Sequence, residues 1–336
     1  MPIPPPAPEA VLAGDRAALA RAITLAEGSR REQRAATRDL LAALQPHHVR
    51  AADATLRLGV TGSPGAGKST FIEAYGLRLV GDGHRVAVLA VDPSSTRTRG
   101  SVLGDKTRMP ELSRHPAAFI RPSPAGRTLG GVARATREAI VLCECAGYDR
   151  VVVETVGVGQ SEHAVHALVD CMALLVLPGG GDDLQGIKRG IVELADLVLV
   201  NKADGERVRA ARDTAADYRR ALHLQPARDD GWGPRALTGS ALEPGGLAGF
   251  GESLAAYLAT LGPGGIAARR RRQALAHFER DWEASALDAV REAVGLQSDL
   301  ASLRDGVASG RLAASVAAGL LAEALAARLR SPAADR

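Results

Sequence analysis

The chain has 336 residues, 46% hydrophobic but only 3% aromatic, enough for one large α/β domain with helical additions and a core of small aliphatic side chains. Its 42 basic and 38 acidic residues leave a formal charge of +4, too small an excess to argue for nucleic acid, and no basic stripe is interleaved with aromatics. There is no apolar run of about 18 residues and no signal-peptide pattern, and three cysteines fit a reducing compartment, so a cytoplasmic protein that partners neither nucleic acid nor membrane is expected.

In chain order, residues 1–8 are proline-rich and residues 9–50 read as helices. Leu12, Leu19, Ile23, Leu40, Leu41 and Leu44 recur at helical spacing, so one face is packed, either on this domain or on a second subunit. From Leu56 to about Leu261 short apolar runs alternate with helical stretches, the pattern of an α/β fold with a mainly parallel sheet and helices on both faces. The expected strands are Leu56–Val60, Val86–Val91, Ala117–Ile120, Val151–Glu154, Ala173–Leu177, Leu197–Val200 and Arg235–Thr238. Several are Val and Leu throughout, as strands buried on both faces are. In such a sheet the chemistry belongs at the C-terminal strand ends.

The first strand runs into Gly62-Ser63-Pro64-Gly65-Ala66-Gly67-Lys68-Ser69-Thr70, which fits G-x-x-x-x-G-K-[ST] at every fixed position, and a helical pattern follows from Phe71. Glycines let successive backbone N–H groups turn inward on phosphate oxygens, and the helix N-terminus adds partial positive charge. Gly62, Gly65, Ala66, Gly67, Lys68, Ser69 and Thr70 are therefore expected to hold a nucleoside triphosphate, with Lys68 on the β- and γ-phosphates and the Ser69 hydroxyl on Mg²⁺.

The second strand ends in Val91-Asp92-Pro93, which offers Asp92 as a magnesium ligand, direct or through water. The polar loop after it, through Gly104-Asp105-Lys106-Thr107-Arg108, holds a second carboxylate, Asp105, and cations that can order on the γ-phosphate. The fourth strand ends Glu154-Thr155-Val156-Gly157, an acid followed three residues later by glycine: Glu154 can hold the metal shell or orient water, and the Gly157 N–H can meet the γ-phosphate. Gln160 lies three residues past that glycine, not directly after it, and receives no water-positioning role. After the sixth strand, Asn201-Lys202-Ala203-Asp204 has the N-K-x-D spacing that reads guanine. Asp204 can accept from the ring N1–H and the exocyclic amine, Lys202 can lie along the base and Asn201 can tie this loop to the phosphate loop. Ser240, Ala241 and Leu242, after the last strand, supply the short loop facing the guanine carbonyl.

The set GSPGAGKST, VDPSS, GDKTRM, ETVGVGQSE, LPGGGDDLQGIKRG and NKAD resembles the MeaB/ArgK/MMAA family of GTPases, chaperones of adenosylcobalamin-dependent methylmalonyl-CoA mutase, over about residues 57 to 261. The resemblance implies GTP hydrolysis to GDP with Mg²⁺, a homodimer, methylmalonyl-CoA mutase as partner, and Asp92, Asp105 and Glu154 as the magnesium and switch constellation. It also implies that residues about 178 to 190, with Lys188, form a mobile loop coupling GTP to the mutase. With the motifs, this gives a P-loop GTPase domain over residues 53–262, a helical N-terminal extension over 1–52 and a helical dimerisation arm over 263–336. A nickel-insertion GTPase is the closest competitor. Cys143 and Cys145 suggest it, but residues two apart on a helix point to different faces. A small-molecule kinase is disfavoured by the guanine-reading loop. A partitioning ATPase is disfavoured because Ser63 stands where its phosphate loop carries a signature Lys. The run Arg269–Arg272 reads as a solvated face at a helix start.

Overall fold

The structure, a computed structural model, describes residues 4–91, 108–123, 129–155, 161–179, 189–226, 228–293 and 297–330. Seven strands form one sheet: β1 (Leu56–Gly62), β2 (Val86–Val91), β3 (Ala118–Ser123), β4 (Arg150–Thr155), β5 (Cys171–Val176), β6 (Leu197–Val200) and β7 (Arg235–Thr238). Their order is β3-β2-β4-β1-β5-β6-β7, and every neighbouring pair is parallel. All seven expected strands are present, and the sheet is wholly rather than mainly parallel. One edge therefore collects every C-terminal strand end, with the end of β1 at its centre.

The strand residues alternate between two cores as a period of two requires. On β2, Ala87, Leu89 and Val91 enter one core while Val86 and Val88 enter the other. The first core is closed by α1 (Pro8–Leu12), α2 (Arg16–Ala26), α3 (Arg31–Ala54) and α6 (Leu129–Cys145), with Leu19, Ile23, Leu40 and Leu44 buried. The apolar stripe of the N-terminal helices is thus spent on this domain. The second core lies under α4 (Lys68–Gly81) and α5 (Pro110–Arg114). There Phe71 and Tyr75 of α4 meet Phe250 edge-on, at centroid distances of 4.9 and 5.1 Å, which fixes the helix that begins at the phosphate loop. Beside the sheet lie α7 (Ser161–His166), α8 (Arg189–Leu194) and α9 (Val208–His223).

Phe250 belongs to α10 (Ala248–Ala293), which is interrupted at Gly262 (φ 61°, ψ 174°) just before Pro263. α11 (Gln297–Ala308) and α12 (Ala314–Arg330) complete the described helices. The chain divides into two compact units, Met1–Arg270 and Arg271–Arg336. Within the second, α10 leaves Leu275, Phe278 and Trp282 exposed at helical spacing. Among the described residues no helix is long and apolar enough to cross a membrane.

Candidate functional site

The end of β1 turns at Gly62 and Ser63, and Ala66 N–H closes the turn on Ser63 O at 3.2 Å. Gly67 caps α4 in the left-handed region (φ 86°), and Phe71 N–H returns to Gly67 O at 2.8 Å as the helix starts. A β-carbon on Gly67 would lie 2.7 Å from Asn201 Nδ2, so backbone conformation and packing both demand glycine. Lys68 Nζ donates to Gly62 O (2.7 Å) and Ser63 O (3.2 Å), which holds the ammonium across the mouth of the loop. Burial lowers its pKa, opposed by the charge of Glu154.

Strand β4 is in register beside β1, Val60 opposite Glu154, so this acid reaches the same edge. Glu154 is 4% exposed, and Ser69 Oγ donates to its Oε1 at 3.4 Å. Thr155 Oγ1 donates to Thr61 Oγ1 at 2.8 Å and fastens the two strand ends together. A hydroxyl and a carboxylate brought together beside a phosphate loop are hard oxygen donors, and they fit Mg²⁺. Asp92, Asp105, Gly157 and Lys188 lie outside the described residues, as do Lys106 and Gln160.

The N-K-x-D loop is built by backbone bonds from three strands. Asn201 N–H donates to Val176 O, Gly239 N–H to Val200 O, and Ala203 N–H to Gly239 O, all within 3.0 Å. They hold Lys202 at φ 60°, the one non-glycine residue with positive φ among those described. Asn201 is buried and donates from Nδ2 to Ala66 O at 2.8 Å, joining this loop to the phosphate loop. Ser240 Oγ donates to Asp204 Oδ2 at 2.6 Å and accepts from Leu242 N–H at 3.2 Å. Arg207 pairs with the other oxygen of Asp204. The Ser240 hydrogen bond, and then that of Arg207, hold the Asp204 carboxyl below the usual carboxylate range. Ala241 is half-buried against the second core and Leu242 is exposed.

A family model described as methylmalonyl Co-A mutase-associated GTPase MeaB matches residues 19–294. The chain belongs to the MeaB family. It is 51% identical to a putative GTPase of Caulobacter vibrioides over 310 residues, 92% of this chain and 93% of that protein. It is 53% identical to the GTPase ArgK of Escherichia coli over 234 residues, 70% of each chain. It is 50% identical to the mouse mitochondrial methylmalonic aciduria type A homolog over 267 residues, 77% of this chain and 64% of that protein. Among solved structures, one described as LAO/AO transport system kinase superposes with a TM-score of 0.71 at 36% identity, covering 94% of this chain and 95% of that one. A MeaB-family chain with this fold is a GTPase.

Sequence reasoning missed three parts of this site. The side chain of Ser240, beyond its backbone, orients the Asp204 carboxylate, and Arg207, three residues after Asp204, pairs with it. Glu162 is 1% exposed, and its charge, like that of Glu154, raises the pKa of Lys68. It closes the ETVGVGQSE string, but its spacing from Glu154 carries no role of its own, so only the fold brings it towards the lysine. Two further expectations meet the structure outside the site. Arg269 and Arg270 are not on a solvated face: Arg269 is 8% exposed, and Arg270 chelates Asp170 and donates to Thr55 O at 2.7 Å. Arg271 and Arg272 are exposed as expected. Cys143 and Cys145 lie in the first core, where burial pushes the Cys143 thiol far up and Cys145 up to about 11. Among the described residues no group of three or more His, Cys, Asp or Glu could hold a metal ion, which gives the nickel reading no support.

Proposed function

We propose that this GTPase binds GTP and Mg²⁺ at the edge formed by Gly62–Thr70, Glu154 and Asn201–Asp204, and uses hydrolysis to assist assembly, protection or reactivation of adenosylcobalamin-dependent methylmalonyl-CoA mutase. The observation that carries the nucleotide half is the bond from Asn201 Nδ2 to Ala66 O, which makes the guanine-reading loop and the phosphate loop one object. The family description carries the partner half.

In this reading the backbone N–H groups of Gly65, Ala66 and Gly67 and the start of α4 hold the phosphates. Lys68 exchanges the carbonyls of Gly62 and Ser63 for β- and γ-oxygens, and its charge counts for more because it is already desolvated. Ser69 and Glu154, with Asp92 and Asp105, hold Mg²⁺, which when bound neutralises phosphate charge. Gly157 meets the γ-phosphate, and Lys188 brings a cation from the coupling loop. Asp204, held by Ser240, takes the two guanine donors, Lys202 covers the base, and Ala241 and Leu242 close the carbonyl side. The exposed stripe of Leu275, Phe278 and Trp282 supports a homodimer.

The test is GTP turnover by the full chain with and without saturating mutase. A rise on complex formation is expected, with tighter mutase binding in the presence of a GTP analogue than without it. No binding and no stimulation, with basal turnover intact, would remove the mutase from the account and leave the GTPase.

A further inference from the structure

A group of buried charges outside the nucleotide site lies at the opposite edge of the sheet. Asp196, fully buried just before β6, receives Met172 N–H at 2.7 Å and pairs with Arg228 (2.9 Å) and Arg269 (3.4 Å). Arg269 also donates to Tyr257 OH at 2.7 Å and to His166 Nε2 at 3.0 Å. Trp232 Nε1 donates to Asp196 O at 3.0 Å and sits edge-on to Tyr257, 5.2 Å between centroids. Burying this many charges costs desolvation that apolar side chains would avoid, so stability alone is a weak reason for the cluster.

What distinguishes it is where its members come from. His166 ends α7, the helix that starts six residues after Thr155 closes β4, and Glu162 at the start of the same helix acts on Lys68. Asp196 follows α8, the helix after the 180–188 segment, and α7 and α8 touch where His163 faces Gly190. Both helices that return from the nucleotide edge therefore end on a single guanidinium. We propose that Arg269 is a positioning residue for GTP hydrolysis, holding α7 through His166 and α8 through Asp196 so that the nucleotide state and the seating of α10 are linked. The inference rests on the GTPase assignment.

The cluster carries its own reporter. The chain has two tryptophans, so Trp282→Phe leaves Trp232 as the sole indole. In that full-length background, Trp232 emission is expected to differ between the GDP form and a form with a non-hydrolysable GTP analogue, both with Mg²⁺. His166→Leu removes the acceptor without uncovering a buried charge. It is expected to abolish that difference and lower kcat about tenfold while leaving GDP affinity within about twofold. His166→Gln, whose Oε1 replaces Nε2 as acceptor, restores both. Arg269→Met lowers kcat to the same extent, and the double variant with His166→Leu is no worse than either single one. Identical Trp232 emission in the two nucleotide states, unchanged kcat in His166→Leu, or no rescue by His166→Gln would each overturn the proposal. Absence of turnover in the parent chain would instead count against the GTPase assignment.

Discussion

His166 shows how much a single side chain depends on its surroundings. Arg269 can only donate, so His166 Nε2 must accept, and the ring is neutral with its proton on Nδ1. Burial, then the charges of Arg269, Arg228 and His163, push its pKa down to about 4. The unfolded chain binds the proton near pH 6.5 and the folded chain resists until about 4, so stability falls as pH drops through that window and is fully present above it. The ceiling is between about 3 and 4 kcal/mol, at about 1.4 kcal/mol per pKa unit. The melting temperature of His166→Gln should therefore fall less than that of the parent between pH 6.5 and 4. Parallel curves would show that His166 titrates normally in the fold.

At the scale of elements, the phosphate loop is a strand, a turn and a helix locked to a second loop through one glycine. Gly67→Ala places a methyl group against Asn201 Nδ2 and asks alanine to adopt φ 86°. The left-handed conformation alone costs about 1 kcal/mol or more, so GDP should bind at least about fivefold more weakly, by calorimetric titration. Unchanged affinity would mean that the two loops are not rigidly joined. These elements were legible in the sequence because their chemistry is local: tight turns need glycine, buried parallel strands need unbroken Val and Leu, and guanine needs an acid at a set distance from an amide. Helix α5 was not anticipated, being short and without a side-chain cap at its start. Nor was the burial of Arg269 and Arg270 legible. Their partners Asp196 and Asp170 lie 73 and 100 residues away, and only the parallel order of β1, β5 and β6 brings those strand starts under α10. The N-terminal stripe was visible as a stripe, but what it covers is decided by the face of the sheet opposite α4.

At the scale of the whole molecule, two features point outward. The second unit exposes Leu275, Phe278 and Trp282 at 62%, 67% and 60%, a stripe that water disfavours. If it joins two copies, Phe278→Glu with Trp282→Glu should give monomers in sedimentation experiments at concentrations where the parent is dimeric, with GDP affinity unchanged. A monomeric parent would remove the dimer. The other feature is the edge of the sheet, where the N-K-x-D loop and the phosphate loop are joined by Asn201. Its most direct test is competition between GTP and ATP for the parent chain and for Asp204→Asn. The parent should prefer GTP by at least about a hundredfold, because adenine leaves the Asp204 acceptors without donors. The variant should lose GTP and gain xanthosine triphosphate, whose C2 carbonyl accepts from the new amide. Equal affinity for ATP and GTP in the parent, or an unaltered preference in Asp204→Asn, would contradict the assignment of this edge as a guanine nucleotide site.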